Sequence, residues 1–342
     1  MGMQAPTFRI FQWLLLPFAL IWGLAALLRR WYYQLPGKRW QAPVPVICIG
    51  NLSAGGTGKT PMIKWLLGRS RVPVAVLSRG YGRRSKGFRE VQATDLSAQV
   101  GDEPLEIRKI CRSDQRVFVC EDRKAGIAQI LKSFPACRLI IMDDGYQHLR
   151  VRADVYVLLS DIGRPFFRDY PIPAGWLREF RFNARHAQAL IFTKCPPELD
   201  VQRRKTLERG AARYTKAPVL FSSLSYSAAL CVQGHQEPAA QAAVILVTGI
   251  AQADYFRRQA EQHYQVLEHL EYQDHQNYTE QDVQKWLQVL RAKGAKAILT
   301  TRKDWMRMLE LNTEACDIWV MDVLPEFSEE DGQQLLIIAG IW

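Results

Sequence analysis

The octapeptide SAGGTGKT carries the most plainly legible chemistry in this chain. Its residues are Ser53, Ala54, Gly55, Gly56, Thr57, Gly58, Lys59 and Thr60. Glycines at these positions let successive backbone N–H groups turn toward one anion, so the segment predicts a cradle for the phosphates of ATP. Lys59 would neutralise the β- and γ-phosphates, and the Thr60 hydroxyl would ligate Mg²⁺. The full pattern G-x-x-x-x-G-K-[ST] asks for Gly where this chain has Ser53. The loop is thus nearer the K-G-G-x-G-K-T variant of partitioning-type ATPases, with Ala54 in place of their Lys. A chance GKT in a Gly-rich turn is the rival reading, and the strand-like VICIG before it and helical PMIKWLL after it weigh against that.

Two carboxylates end the apolar run RLIIMDDG (138–145). In a P-loop fold an acidic residue at such a strand end helps to hold Mg²⁺, with Asp143 the first choice and Asp144 the alternative. GDEP (101–104) places Asp102 and Glu103 ahead of a Pro that suits a first helical turn. From the residues alone these two read as an N-cap or as partners of the helix dipole.

The elements that must position these groups follow from hydrophobic pattern. Continuous β-rich apolar runs at 44–50, 72–78, 116–120, 138–144, 154–160 and 189–193 alternate with helical stretches, which predicts a doubly wound parallel sheet of P-loop NTPase type, covered on both faces. A Ser- and Gly-containing segment over 218–242 reads as a hairpin linker. Runs at 243–249, 264–270, 295–301 and 317–323, with helices from about residue 252 and over 281–293, then resume the alternation. The expected organisation is a membrane-associated helix over 1–31, a P-loop domain over 32–217, the linker, and a smaller α/β domain over 243–342.

Residues 10–28 contain no charge and, as a helix, would extend about 28 Å, close to the thickness of bilayer hydrocarbon. Arg9 precedes this run, whereas Arg29, Arg30, Lys38 and Arg39 follow it, which orients the rest of the chain to the cytoplasm. A full span and a helix lying partly in one leaflet both fit, given Pro17. The net charge of +11 is concentrated at the same end: 14 Lys and Arg precede the first acidic residue, Glu90. That asymmetry suits anionic headgroups or a phosphorylated substrate. No RNP, zinc-finger or helix-turn-helix pattern supports nucleic acid as the partner. The seven cysteines are odd in number and lack a C-x-x-C pair, so free thiols are expected rather than disulfides or a zinc site.

Taken in order, GNLSAGGTGKTP, SRGYGR (78–83), GDEP, DDGYQH (143–148), PAGWLRE (173–179) and the Asp-His pair at 274–275 closely resemble the tetraacyldisaccharide 4′-kinase family over nearly the whole chain. The resemblance implies an inner-membrane enzyme with its catalytic domains on the cytoplasmic face. Its reaction would move the γ-phosphoryl of ATP to the 4′-hydroxyl of a tetraacylated glucosamine disaccharide 1-phosphate, a lipid A precursor. It implies Asp102 as general base with His275, a residue that alone would read as a surface histidine. It further implies Glu179 as a support for Mg²⁺ and Arg178 as a phosphate or substrate contact. Arg79, Tyr81, Arg83, Gln147 and His148 are the implied contacts to the sugar and its 1-phosphate. The partners implied are the acylated lipid and membrane lipid, with no obligate protein partner. TTRKDWMR (300–307) departs from relatives that carry Glu before Lys-Asp, so Asp304 receives no catalytic role. The alternative function is a membrane-associated ATPase switch of the partitioning type; a guanine reader is unsupported, because TKCP (193–196) lacks the Asp of N-K-x-D. A non-catalytic lipid-binding module would make no use of Lys59, Thr60 and Asp143 together.

Overall fold

Apolar runs too short for helices and flanked by Gly, Pro or Asp bury themselves best as central strands, and the computed structural model shows this outcome. It describes residues 6–250, 253–274 and 276–341. The strands β1 (Val46–Asn51), β2 (Val74–Ser78), β3 (Gln115–Val119), β4 (Leu139–Asp143), β5 (Val155–Asp161), β6 (Ala189–Cys195) and β7 (Val219–Tyr226) are mutually parallel. A second sheet contains β8 (Leu230–Gln233), β9 (Ala243–Thr248), β10 (Gln265–Glu271), β11 (Ala297–Thr301) and β12 (Asp317–Met321), in the order β8-β12-β11-β9-β10. The last strand, β13 (Val323–Phe327), returns to the first sheet and pairs antiparallel with β7. The nine-stranded order is then β13-β7-β6-β5-β1-β4-β2-β3, closed at the far edge by the two-residue strand Arg89–Glu90.

Strands β1, β2 and β4 are buried throughout, as expected of a sheet with helices on both faces. One apolar cluster covers one face around Cys48, Phe118 and Phe192. The other begins at Ile47 and Val76 and continues without a break into Ile245, Trp286 and Ile298 beneath the second sheet. The two sheets therefore share a core.

No hairpin forms over 218–242. β7 and β8 are consecutive, yet they join different sheets, and each pairs with a strand more than 80 residues away in sequence. A hairpin partner would have to occupy the edge of β7 that β13 takes. All seven cysteine thiols are free.

The N-terminal helix α1 (Pro6–Gln34) is longer than its charge-free run. It lies against the first sheet's surroundings by a narrow stripe, Ala19, Gly23 and Arg30, which recur at helical spacing and are buried. A side-chain carbon on Gly23 would collide with the Phe180 ring, so glycine permits this approach. Its other faces are exposed, with Trp13 at 72% and Ile21 at 68%. Such a contiguous apolar surface marks a membrane or partner interface. Residues 13–34 are long and apolar enough to cross a bilayer.

Candidate active site

The site grows from the C-terminal ends of the parallel strands, where ligands bind in open α/β sheets. β1 delivers the chain into the loop 52–58, and helix α2 (Lys59–Arg69) leaves it. Asn51 Nδ2 donates to Thr57 Oγ1 at 2.8 Å and Thr193 Oγ1 donates to the Thr57 carbonyl at 3.0 Å, which fixes the loop from β1 and from β6, two strands away. Gly58, at φ +83°, turns the chain into α2, whose first N–H groups have no side-chain cap. An uncapped helix N-terminus reached through a glycine turn is a natural anion site. The PAGWLRE segment runs antiparallel along this loop: Ala54 N donates to the Trp176 carbonyl at 2.6 Å and Arg178 N to the Leu52 carbonyl at 2.7 Å.

β4 brings the paired carboxylates to the loop. Asp143 is buried and its Oδ2 accepts from Ser78 Oγ at 2.9 Å. Its Oδ1 is buried with no hydrogen-bond partner among the described residues. A hard, orphaned carboxylate oxygen beside a P-loop hydroxyl fits Mg²⁺, which binds through one or two carboxylates and keeps its other positions for water and phosphate. No cluster of three or more His, Cys, Asp or Glu that could hold a metal ion occurs among the described residues. Asp144 adopts φ +48° and accepts from Arg178 at 2.8 Å, with Lys59 Nζ 3.5 Å away. The adjacent acids are driven apart. Burial raises the pKa of Asp143, reinforced by Asp144 and only partly opposed by Lys59. At Asp144 burial also pushes upward, but Lys59 and Arg178 outweigh it and hold the group below the ordinary carboxylate value. Environments that separate two like groups in this way are typical of functional sites.

GDEP opens helix α3 (Asp102–Lys109), with Asp102 and Glu103 in its first turn. Gly101 has φ +94°, and a side chain there would press on Gly80 and the Tyr81 carbonyl, so the SRGYGR and GDEP motifs pack directly on each other. Asp102 accepts from Arg307 Nε at 2.9 Å. Arg307 belongs to helix α4 (Arg302–Met308) of the second sheet and also donates to Asp304 Oδ1 at 3.3 Å and to the Gly249 carbonyl at 3.2 Å. Asp304, 0% exposed, takes further hydrogen bonds from Thr301 and Tyr278 and thereby orients Arg307. Glu103 faces the cavity, where burial and the nearby Asp143 push its pKa up to about 7. His148 is held neutral by burial and by Arg123, which bring its pKa down to about 4.

A cavity of about 1490 Å³ joins these groups. It is larger than a typical single-ligand pocket, which suits a nucleotide and a bulky co-substrate together. The whole loop from Ala54 to Thr60 lines it, and so do Asp102, Asp143, Asp144, Arg178 and Glu179. Arg79, Tyr81, Gln147 and His148 line it as well, while Ser53 sits buried beneath the loop. Arg83 does not. Its guanidinium turns back to Glu121 at 2.6 Å and the Gly87 carbonyl at 2.7 Å, and Arg84 takes the place on the cavity wall. Glu179 has its Oε2 engaged by Arg30 at 2.7 Å and by Asn183 Nδ2 at 2.7 Å, so the expected metal support also anchors α1. His275 lies outside the described residues; its neighbour Asp274 lines the cavity and pairs with Lys303 at 3.5 Å.

Glu103, Arg123, Arg164, Lys194 and Arg307 also reach the cavity or its acids, and sequence reading passed over them as functional groups. Arg123 is nearly inaccessible and donates to the Asp143 carbonyl at 3.0 Å. Only Glu103 carried a local signal, as the second acid of GDEP.

A sequence model of the family described as Tetraacyldisaccharide-1-P 4′-kinase matches residues 11–339. The tetraacyldisaccharide 4′-kinase of Cytophaga hutchinsonii is 38% identical over 305 residues, 88% of this chain and 86% of the relative. That of Bacteroides fragilis strain YCH46 is 35% identical over 325 residues, covering 90% and 85%. Among solved structures, LpxK from Aquifex aeolicus in complex with ATP superposes with a TM-score of 0.74 at 26% identity, covering 97% of this chain and 100% of that one. Geometry, motif order and these likenesses agree: the chain belongs to the tetraacyldisaccharide-1-P 4′-kinase family.

Proposed function

We propose that this protein transfers the γ-phosphoryl group of ATP to the 4′-hydroxyl of a tetraacyldisaccharide 1-phosphate in lipid A biosynthesis. The observation that carries the reading is that the uncapped start of α2, with Lys59 and Thr60, and the carboxylate of Asp102 face one cavity. The triphosphate lies against the α2 N-terminus, with Lys59 and Arg178 balancing its charge. Thr60 and Asp143, with Asp144 beside them, would hold Mg²⁺, which would supply positive charge against the charge that develops on the transferring phosphoryl group. Asp102 accepts the proton of the 4′-hydroxyl as its oxygen bonds to the γ-phosphorus and the bond to the ADP oxygen breaks. Arg307 and Asp304 hold Asp102 in place, and His275 remains its second partner by resemblance. Arg79, Tyr81, Gln147 and His148 supply the contacts to the phosphorylated sugar.

The exposed faces of α1 sit in the cytoplasmic leaflet of the inner membrane. Trp22, Ala25, Ala26 and Arg29 of the same helix line the cavity, so a lipid substrate reaches the phosphates without leaving the membrane surface. An ATPase switch of the partitioning type has no use for this continuity. The test is incubation of the enzyme in mixed micelles with γ-labelled ATP, Mg²⁺ and the lipid disaccharide 1-phosphate. Label in the lipid is expected; label released only as inorganic phosphate overturns the assignment.

A further inference from the structure

The chain crosses between its two sheets twice, once after β7 and once between β12 and β13. The crossings are fastened together: Ser227 N donates to the Asp322 carbonyl at 2.8 Å, and Asp322 N donates to Ser227 Oγ at 3.1 Å. The Asp322 side chain then reaches both ways. Its Oδ1 accepts from Lys64 Nζ at 2.9 Å, and its Oδ2 accepts from Arg302 Nε at 3.0 Å and a terminal Arg302 nitrogen at 2.8 Å. Lys64, 1% exposed at its side chain, also donates to Glu106 of α3 at 2.9 Å. Two cations and two anions thus form a neutral, water-shielded array that ties the P-loop helix, the GDEP helix and the first residue of α4. None of the six nucleotide- and metal-site motifs contains Lys64 or Asp322.

Helix α4 meets the chemistry from the side of the second sheet. Arg302 and Lys303 line the cavity, and Arg307, one and a half turns on, holds Asp102. Where α4 stands relative to the P-loop therefore decides where Asp102 stands relative to the γ-phosphate. We propose that Asp322, clamped between Lys64 and Arg302, is a positioning residue for phosphoryl transfer, setting α4 and through Arg307 the Asp102 carboxylate against the P-loop. Burial alone would disfavour the Lys64 charge, but Glu106 and Asp322 outweigh it and raise its pKa, while Lys64 and Arg302 hold the Asp322 carboxyl below the ordinary carboxylate value. A buried ion array can also be merely structural, and removing one member of it destabilises the fold in either case. The distinction lies in which kinetic constant moves.

The proposal rests on the kinase reading, and its test separates the two. In Asp322→Asn, kcat at saturating substrates is expected to fall by about tenfold or more, since misplacement of a reacting group by an ångström costs up to about a hundredfold. The Kd for a non-hydrolysable ATP analogue should stay within about threefold, because the loop and α2 keep their own contacts. Amide hydrogen exchange across 302–308 should rise. Lys64→Met should produce the same loss, and the double variant should lose no more than either single one. Asp322→Glu keeps the charge at the wrong reach and serves if the Asn variant does not fold; it too should lose kcat. Unchanged kcat in folded variants, losses that multiply in the double variant, or unchanged exchange across 302–308 overturns the proposal. Exchange needs no turnover, so it still tests the clamp's hold on α4 if wild-type enzyme fails to label the lipid, a result that would sink the kinase reading instead.

Discussion

The Arg30 guanidinium of the N-terminal helix lies 2.7 Å from the Glu179 carboxylate, with both groups buried and Arg30 also donating to the Tyr146 carbonyl at 3.1 Å. Tyr146 and Glu179 belong to the DDGYQH and PAGWLRE motifs, so the helix with the exposed apolar faces is bolted to the strand end that carries Asp143 and Asp144. Removing one member of a buried pair leaves the other charge uncompensated, at a cost of about 3–5 kcal/mol. Arg30→Ala should lower Tm by several degrees in detergent, and Arg30→Met combined with Glu179→Leu should lower it less than the single change does. Differential scanning calorimetry of the three proteins checks this; equal Tm values for wild type and Arg30→Ala would refute it.

Asp102→Asn keeps the size of the side chain but can no longer take a proton. Turnover should fall by roughly 10²–10⁴-fold, whereas ATP binding, measured by calorimetry, should hold. Loss of both in proportion would place Asp102 among the nucleotide contacts instead.

Asp143 Oδ1 is a buried oxygen with no hydrogen-bond donor among the described residues. Asp143→Asn replaces one anionic ligand by a neutral one, and the Mg²⁺ concentration giving half-maximal turnover should rise by on the order of tenfold or more. A Mg²⁺ titration unchanged from wild type would remove Asp143 from the metal site.

Glu103 is protonated in the folded state up to about pH 7 but ionises near its ordinary value of 4.5 when unfolded. Its raised pKa means that the folded state binds the extra proton between those values, so its contribution to stability is lost as pH rises from about 4.5 to about 7. Glu103→Gln abolishes this titration. The Tm of the variant relative to wild type, without nucleotide, should therefore be higher at pH 8 than at pH 5 by a few degrees. A difference independent of pH would show that Glu103 titrates normally.

On α1, Ile21 and Leu28 point away from the docked stripe. Changing both to Glu adds about 2.5–3.5 kcal/mol of insertion cost per charge at bilayer depth, less near the surface. Flotation with vesicles should fall while Tm stays near wild type. Undiminished flotation would move the membrane contact to another surface.

Much of this was legible in the sequence because it is local. Strand-length apolar runs, the glycines around Lys59 and the acids ending β4 each specify their conformation within ten residues. What was not legible depends on partners distant in the chain. Arg83 and Arg84 are adjacent and identical in type, and Glu121, 38 positions away, helps to hold Arg83 away from the cavity. The docking of α1 onto the first sheet rests on Glu179, which pairs with Arg30 from 149 positions away. Asp102 and Arg307 are 205 positions apart. The segment over 218–242 looked like a hairpin because strand propensity says nothing about which neighbour a strand will choose, and β7 and β8 chose different sheets.

The return of β13 to the first sheet reaches beyond catalysis. Until residues 323–327 leave the ribosome, β7 presents a bare edge able to pair with another chain. In chain order the nucleotide-binding sheet receives its last strand after every strand of the smaller sheet. Deleting residues 323–327 would reopen that edge of the nucleotide-binding sheet, and a chain lacking them is the species that chaperones would have most cause to hold.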